Sequence, residues 1–203
     1  MRKFHRVGIV ALAIALIGLG AVWAQDDEYE EQGYGGPREN QFAVSFGAGI
    51  VDTDLDSDIY YAADFRIRLG GRGSGNLEEG IIGYIEPEVG YWSMSQDAPG
   101  GKIDYSDLHV GVGLTGVIPT RAADLFMNVG LDLHSFDVSP SGSAIVNTVD
   151  SDSAFGGHAR VGLDLYLGDN FSLFGSGGYY LVDTDIAVFE NQVKVYIGGR
   201  FGF

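Results

Sequence analysis

The chain has 203 residues, no cysteine and a formal charge of −16. Disulfide and thiolate chemistry are excluded, and so acidic a chain repels nucleic acid, whose binding rests on cationic side chains. The length fits one domain with a short tail.

Residues 1–24 read as a secretory signal peptide. Arg2, Lys3, His5 and Arg6 form a basic n-region, Val7 to Gly20 an apolar run, and Val22-Trp23-Ala24 a cleavage site. Removing the segment takes away Arg2, Lys3 and Arg6 but no acid, so the formal charge falls from −16 to −19. Residues 25–40 are acidic and poor in aliphatic side chains, the composition of a disordered periplasmic leader.

From residue 41 to the end the apolar pattern has period two, the mark of strands with two unlike faces. Eight apolar stripes follow in order: Phe42 to Ile50, Tyr61 to Leu69, Ile81 to Tyr91, Leu108 to Ile118, Leu125 to Leu133, Phe155 to Leu167, Phe171 to Leu181 and Val193 to Phe203. Each covers about ten residues, enough for a tilted strand to cross a bilayer. Pro87 interrupts the third and is read as a bulge or local break, since proline removes a ladder hydrogen bond. Longer connections are expected at Asp52–Asp58, Trp92–Ser106, Phe136–Asp152 and Asp183–Gln192. They alternate with Gly70–Gly80, Pro119–Asp124 and Gly168–Asn170. Short periplasmic turns and long outer loops are the membrane-barrel pattern.

The two faces separate a membrane barrel from a soluble one, whose apolar face would be inside. The apolar stripes carry no charge. Opposite them lie Asp64, Arg66, Arg68, Glu86, Glu88, Asp107, Asp132, Arg160, Asp164, Lys194 and Arg200. Five bases against six acids, in a chain otherwise so acidic, suit ion pairing in a narrow lumen, where buried charges need partners. Arg66 and Glu86 are the expected pair across strands two and three. If Leu69 pairs with Ile81, Asp64 faces Glu86 and Arg66 lies on the diagonal, within reach of a long side chain. A charge swap between Arg66 and Glu86 is then expected to recover part of the loss from either single change. Phe42, Phe171, Phe201 and Phe203 would form one aromatic rim, and Tyr61, Tyr91 and Phe155 the other. The expected fold is therefore an all-β, eight-stranded antiparallel up-and-down transmembrane β-barrel over residues 41–203.

The closing segment, Val193-Lys-Val-Tyr-Ile-Gly-Gly-Arg-Phe-Gly-Phe203, is an alternating strand with a terminal aromatic. It is similar to the recognition signal read by the barrel-assembly machinery, and the chain from Gln41 onward resembles the small outer-membrane barrels of the OmpA/OmpX type. That resemblance implies a bacterial outer-membrane location, chaperone escort through the periplasm, assembly-machine insertion and a polar network filling the barrel. Lipids and lipopolysaccharide would be its surroundings, and the chain is expected to be monomeric. Fold does not fix function.

Four residues stand out chemically. His109, His134 and His158 lie on the polar face near the outer ends of consecutive strands. If Ile118 pairs with Leu125, His109 falls opposite His134, with Asp132 and His158 near on the same wall. Three imidazoles and a carboxylate form a zinc-type donor set, so His109, His134, His158 and Asp132 are the candidate metal ligands. The competing reading is ordinary lumen residues bonded to their neighbours. No cofactor is expected. The run Val51-Asp-Thr-Asp-Leu-Asp-Ser-Asp58 fails as an EF-hand, because Ser57 and Ala63 stand where glycine and glutamate are required.

Three function classes remain. The expected one is a non-enzymatic structural or interaction barrel, serving envelope integrity or adhesion through acidic surface loops. A narrow porin-like diffusion pore is opposed by the bulky lumen residues Tyr84, Phe126, Phe174, Tyr180 and Tyr196. A lipid A-modifying enzyme is opposed by Ser135, which directly follows His134 and so points to the other face of a regular strand.

Overall fold

A computed structural model of the chain describes residues 41–53, 55–70, 81–119, 123–142 and 152–203. The expected signal peptide, the acidic leader, most of the Gly70–Gly80 connection and parts of the Pro119–Asp124 and Phe136–Asp152 connections lie outside the described residues.

The described residues form eight strands: β1 Phe42–Asp52, β2 Ser57–Gly70, β3 Ile82–Ala98, β4 Gly101–Pro119, β5 Ala123–Gly142, β6 Asp152–Gly168, β7 Phe171–Val182 and β8 Asn191–Gly202. One helical turn, α1 Ala187–Glu190, precedes β8. Each strand pairs antiparallel with its sequence neighbour, and β8 returns to β1, so the sheet closes as an up-and-down barrel. Closure removes the sheet edges that neither water nor lipid tolerates.

The period-two pattern sorts side chains as expected. Val110, Val112 and Leu114 on β4 and Met127, Val129, Leu131 and Leu133 on β5 point outward and are exposed. The charged face points in: Asp64, Arg66, Glu86, Glu88, Asp107, Asp132, Arg160, Asp164, Lys194 and Arg200 are all buried. An apolar belt around a polar interior is inverted relative to a soluble barrel and is stable only against hydrocarbon.

Aromatic side chains collect at both rims. Near the chain termini Phe42 stacks on Phe65 and Phe203, with centroids 5.9 and 6.3 Å apart. The Phe203 N–H also donates to the Phe42 carbonyl at 2.9 Å, and the Phe42 N–H to the Phe203 carbonyl at 3.2 Å. Deleting Phe203 removes those ring contacts and both closing hydrogen bonds. We expect slower insertion and periplasmic accumulation of the truncated chain. Surface levels equal to wild type, by cell-surface labelling, would show that the terminal ring contributes nothing to assembly.

Two sequence expectations need correction. Trp92–Ser106 is a hairpin extension of β3 and β4 rather than a loop, turning at Pro99-Gly100, where Gly100 takes φ 90°. β5 likewise runs on to Gly142. The reason is a reversal of polarity above the belt. Outward rows change from Val89–Val110–Leu133 to Ser93–Ser106–Asp137 and Ser95–Asp104–Ser139. Inward positions become apolar, with Trp92, Met94, Phe136 and Val138 buried. The alternation continues in opposite phase, as strands leaving lipid for water require. α1 seats Val188 and Phe189 into this upper core, and Phe189 stacks on Phe136 at 4.1 Å. Pro87 behaves as expected: pairing of β3 with β2 stops after Asp64↔Glu88 and resumes at Ile67↔Ile85 in the same register.

Candidate functional site in the lumen

Below the apolar cap the lumen is filled by two polar layers. The lower one centres on Glu86, fully buried on β3. It accepts from Arg66 Nε at 2.5 Å, from Thr115 Oγ1 at 2.8 Å and from Arg160. Arg66 also reaches Asp164 at 2.9 Å and lies over the Phe126 ring at 4.5 Å. Arg200 pairs with Asp164 and donates to Ser45, which donates to Asp64 at 2.7 Å. Strands β1, β2, β3, β4, β6 and β8 are thus cross-linked through the barrel axis. Arg66 lies on the register opposite Glu86, since Asp64 pairs with Glu88. The expected ion pair is present, with the register shifted by two from the Leu69–Ile81 assumption.

The upper layer holds the three histidines. Ile118 pairs with Leu125, His109 with His134, and those rings stack with centroids 5.1 Å apart. His134 Nδ1 faces both oxygens of Asp107 at 3.0 Å. Asp107 Oδ2 also accepts from Trp92 Nε1 and Gln192 Nε2, at 3.1 and 3.2 Å. Lys194 is fully buried beneath Tyr180 and Tyr60, its Nζ 3.9 and 4.7 Å from their ring centroids. It donates to His109 Nδ1 at 3.3 Å. An ammonium can only donate, so His109 is neutral with its proton on Nε2, which faces Glu88 at 3.5 Å.

The four candidate ligands therefore do not converge. His109 and His134 group with Asp107, whereas His158 and Asp132 group with Glu88. Glu88, which sequence reasoning did not assign to a site, joins the two groups, and its Oε2 meets Arg160 Nη1 at 2.9 Å. Its even-numbered place on β3 was the available signal. Whether it met histidines depended on the β2–β3 and β3–β4 registers. His134 is buried and Ser135 exposed, on opposite faces of β5, so this His-Ser pair cannot act together.

No protein-family model matches the sequence, and no match to a curated protein was found. The fold is similar to solved structures. The surface protein A of Neisseria superposes with a TM-score of 0.53 at 15% identity, covering 85% of this chain and 100% of that one. A major outer-membrane protein of Thermus thermophilus gives 0.53 at 16% identity, covering 81% of this chain and 100% of that one. At such identity the likeness establishes the fold, that of the small eight-stranded outer-membrane barrels.

Proposed function

We propose that this chain is an exported outer-membrane barrel with a structural and interaction role: a closed peg holding a projecting three-stranded sheet at the cell surface. The observation that carries this reading is the contrast between a filled interior and an elaborated exterior. Ion pairs and the aromatic cap fill the lumen, as the narrow bore of eight strands favours. Above the belt, β3, β4 and β5 rise past their neighbours. β3 has no described ladder partner on the β2 side beyond Trp92, and β5 none on the β6 side beyond Phe136. Backbone edges of this kind accept added strands from other chains. The outer face carries Ser93, Ser95, Asp104, Ser106, Asp137 and Ser139 along a groove of about 500 Å³. Its carboxylates suit ligands that are basic or bridged by divalent cations, including lipopolysaccharide phosphates. Export by a signal peptide, chaperone escort and assembly-machine insertion would place the projecting sheet outside and both termini in the periplasm.

The purified chain reconstituted in a planar bilayer should show no steady open level. A stable ohmic conductance would favour the narrow-pore reading. Lipid A from cells expressing the protein should keep its mass, and loss of an acyl chain would favour an enzyme. Replacing residues 95–104 by a short turn should leave the barrel folded while abolishing any adherence that expression confers; unchanged adherence would remove the sheet's role.

A further inference from the structure

We infer that Glu88, Asp132 and His158 form a site for a first-row divalent cation of the zinc class, buried inside the barrel wall. The inference starts from hydrogen-bond direction. Thr115 gives its hydroxyl proton to Glu86, at 2.8 Å. Its oxygen therefore accepts from Asn128 Nδ2, at 2.6 Å. The Asn128 amide oxygen then faces His158 Nε2 at 2.5 Å, so that nitrogen carries a proton. The tautomer is assigned by this relay, which begins at an arginine-bound carboxylate. A histidine that donates its far nitrogen to a fixed carbonyl has the orientation of a metal ligand.

The other nitrogen, Nδ1, points at two carboxylates: 2.8 Å from Asp132 Oδ2 and 3.8 Å from Glu88 Oε1. A bare lone pair among carboxylate oxygens is repulsive, so a cation belongs between them, either a metal ion or a proton. All three ligand atoms lie within 4.8 Å of one another and all three residues are buried. Glu88 is braced on both sides: its other oxygen is held by Arg160, and Oε1 itself accepts from Tyr180 at 3.3 Å and faces His109 Nε2 at 3.5 Å. The surrounding strands leave room for the ligands. A Cβ at Gly111 would come within 2.0 Å of Asp132 Oδ1, and one at Gly130 within 2.5 Å of His158 Cε1.

Charge balance favours a dication over a proton. Between its two mouths the lumen buries six carboxylates (Asp64, Glu86, Glu88, Asp107, Asp132 and Asp164) against four basic side chains (Arg66, Arg160, Lys194 and Arg200), with Asp52 buried at the outer end. Arg68 and Asp124, one of each sign, lie at the terminus end. Two negative charges remain in a closed interior, where uncompensated charge is costly. One divalent ion cancels both, whereas one proton on His158 cancels half. One imidazole nitrogen with two carboxylate oxygens is a borderline donor set, suited to zinc. The alternative group at Asp107 is weaker, because Lys194 donates to His109 within it.

The test is direct. The mature chain is refolded in detergent with zinc ions, passed through metal-free buffer and assayed by mass spectrometry. Wild type should retain about one zinc per chain, and Asp132→Asn and His158→Gln should each retain at least about tenfold less. Retention by the folded variants equal to wild type, or none by wild type, overturns the site. If the variants fail to fold, the zinc-loaded wild type decides: nitrogen NMR of the His158 ring should show Nδ1 without a proton. A protonated Nδ1 would mean that an imidazolium takes the place of the metal.

Discussion

Arg66→Ala should lower barrel stability by about 3–5 kcal/mol, the typical loss when one member of a buried ion pair is removed. Arg66 is 4% exposed and serves two carboxylates, Glu86 and Asp164, on strands β3 and β6. Alanine leaves both short of a cation and also removes the guanidinium from the Phe126 ring. The unfolding midpoint in urea, with lipid or detergent present, measures the loss. A change below about 1 kcal/mol, the level of a solvated surface pair, would mean that water floods the layer.

The structure reverses the expectation for a charge swap. Read from the sequence, Arg66→Glu with Glu86→Arg should restore an isolated pair. In the folded chain position 66 also faces Asp164 and position 86 also faces Arg160. The swap would set carboxylate against carboxylate and guanidinium against guanidinium. The double variant should therefore be no more stable than Arg66→Glu alone. Recovery of half the loss or more would show that Arg66 and Glu86 act as a private pair after all.

A second large effect lies at the seam where the barrel closes. Gly47 on β1 pairs with Gly198 on β8. A Cβ at Gly198 would fall 2.0 Å from the Phe46 carbonyl oxygen and 2.7 Å from Gly47 Cα. Both are backbone atoms that cannot swing aside, and the buried Phe174 ring crosses the same spot with its Cε1 at 2.7 Å. Gly198→Val should cost about 3 kcal/mol, the upper end for overpacking, and impair closure itself. The assay is the compact, heat-modifiable band of a closed barrel on an unboiled detergent gel. Gly83→Ala, where a new Cβ meets nothing within 4 Å, is the matched control and should run as wild type. Equal behaviour of the two variants would show that the seam tolerates side chains.

The fold was legible because the lipid-facing stripes are long, free of charge and of strict period two. That pattern also separated lumen from belt residue by residue, down to Lys194 and Arg200. Registers were legible only where a connection was tight. The short turn after Ile118 allowed the stacked His109–His134 pair to be placed correctly. The long glycine-rich connection after Leu69 did not: the ladder begins at Gly70↔Gly83, and after a one-residue irregularity Asp64 faces Glu88 rather than Glu86. Glu88 was missed as a partner of His158 for a related reason. Two strands, β4 and β5, separate β3 from β6 along the sheet, and only closure brings their side chains together across the axis. The projecting sheet was missed because the search followed one phase of alternation. Trp92-Ser93-Met94-Ser95 continues the alternation, but with the faces exchanged.

That exchange of faces also fixes a waterline. Hydrocarbon is satisfied up to the row Val89–Val110–Leu133–Phe155, and the mixed row Tyr91–Leu108–Ser135–Ser153 comes next. Sinking the barrel by two residues, about 7 Å along a strand, would draw Asp137 and its serine neighbours into the acyl chains. Raising it by the same distance would expose a ring of valine, leucine and phenylalanine to water. Both displacements are uphill, so the molecule rides at one draught, as a hull does. The height at which its edge strands meet the surroundings is thereby set by the barrel wall itself.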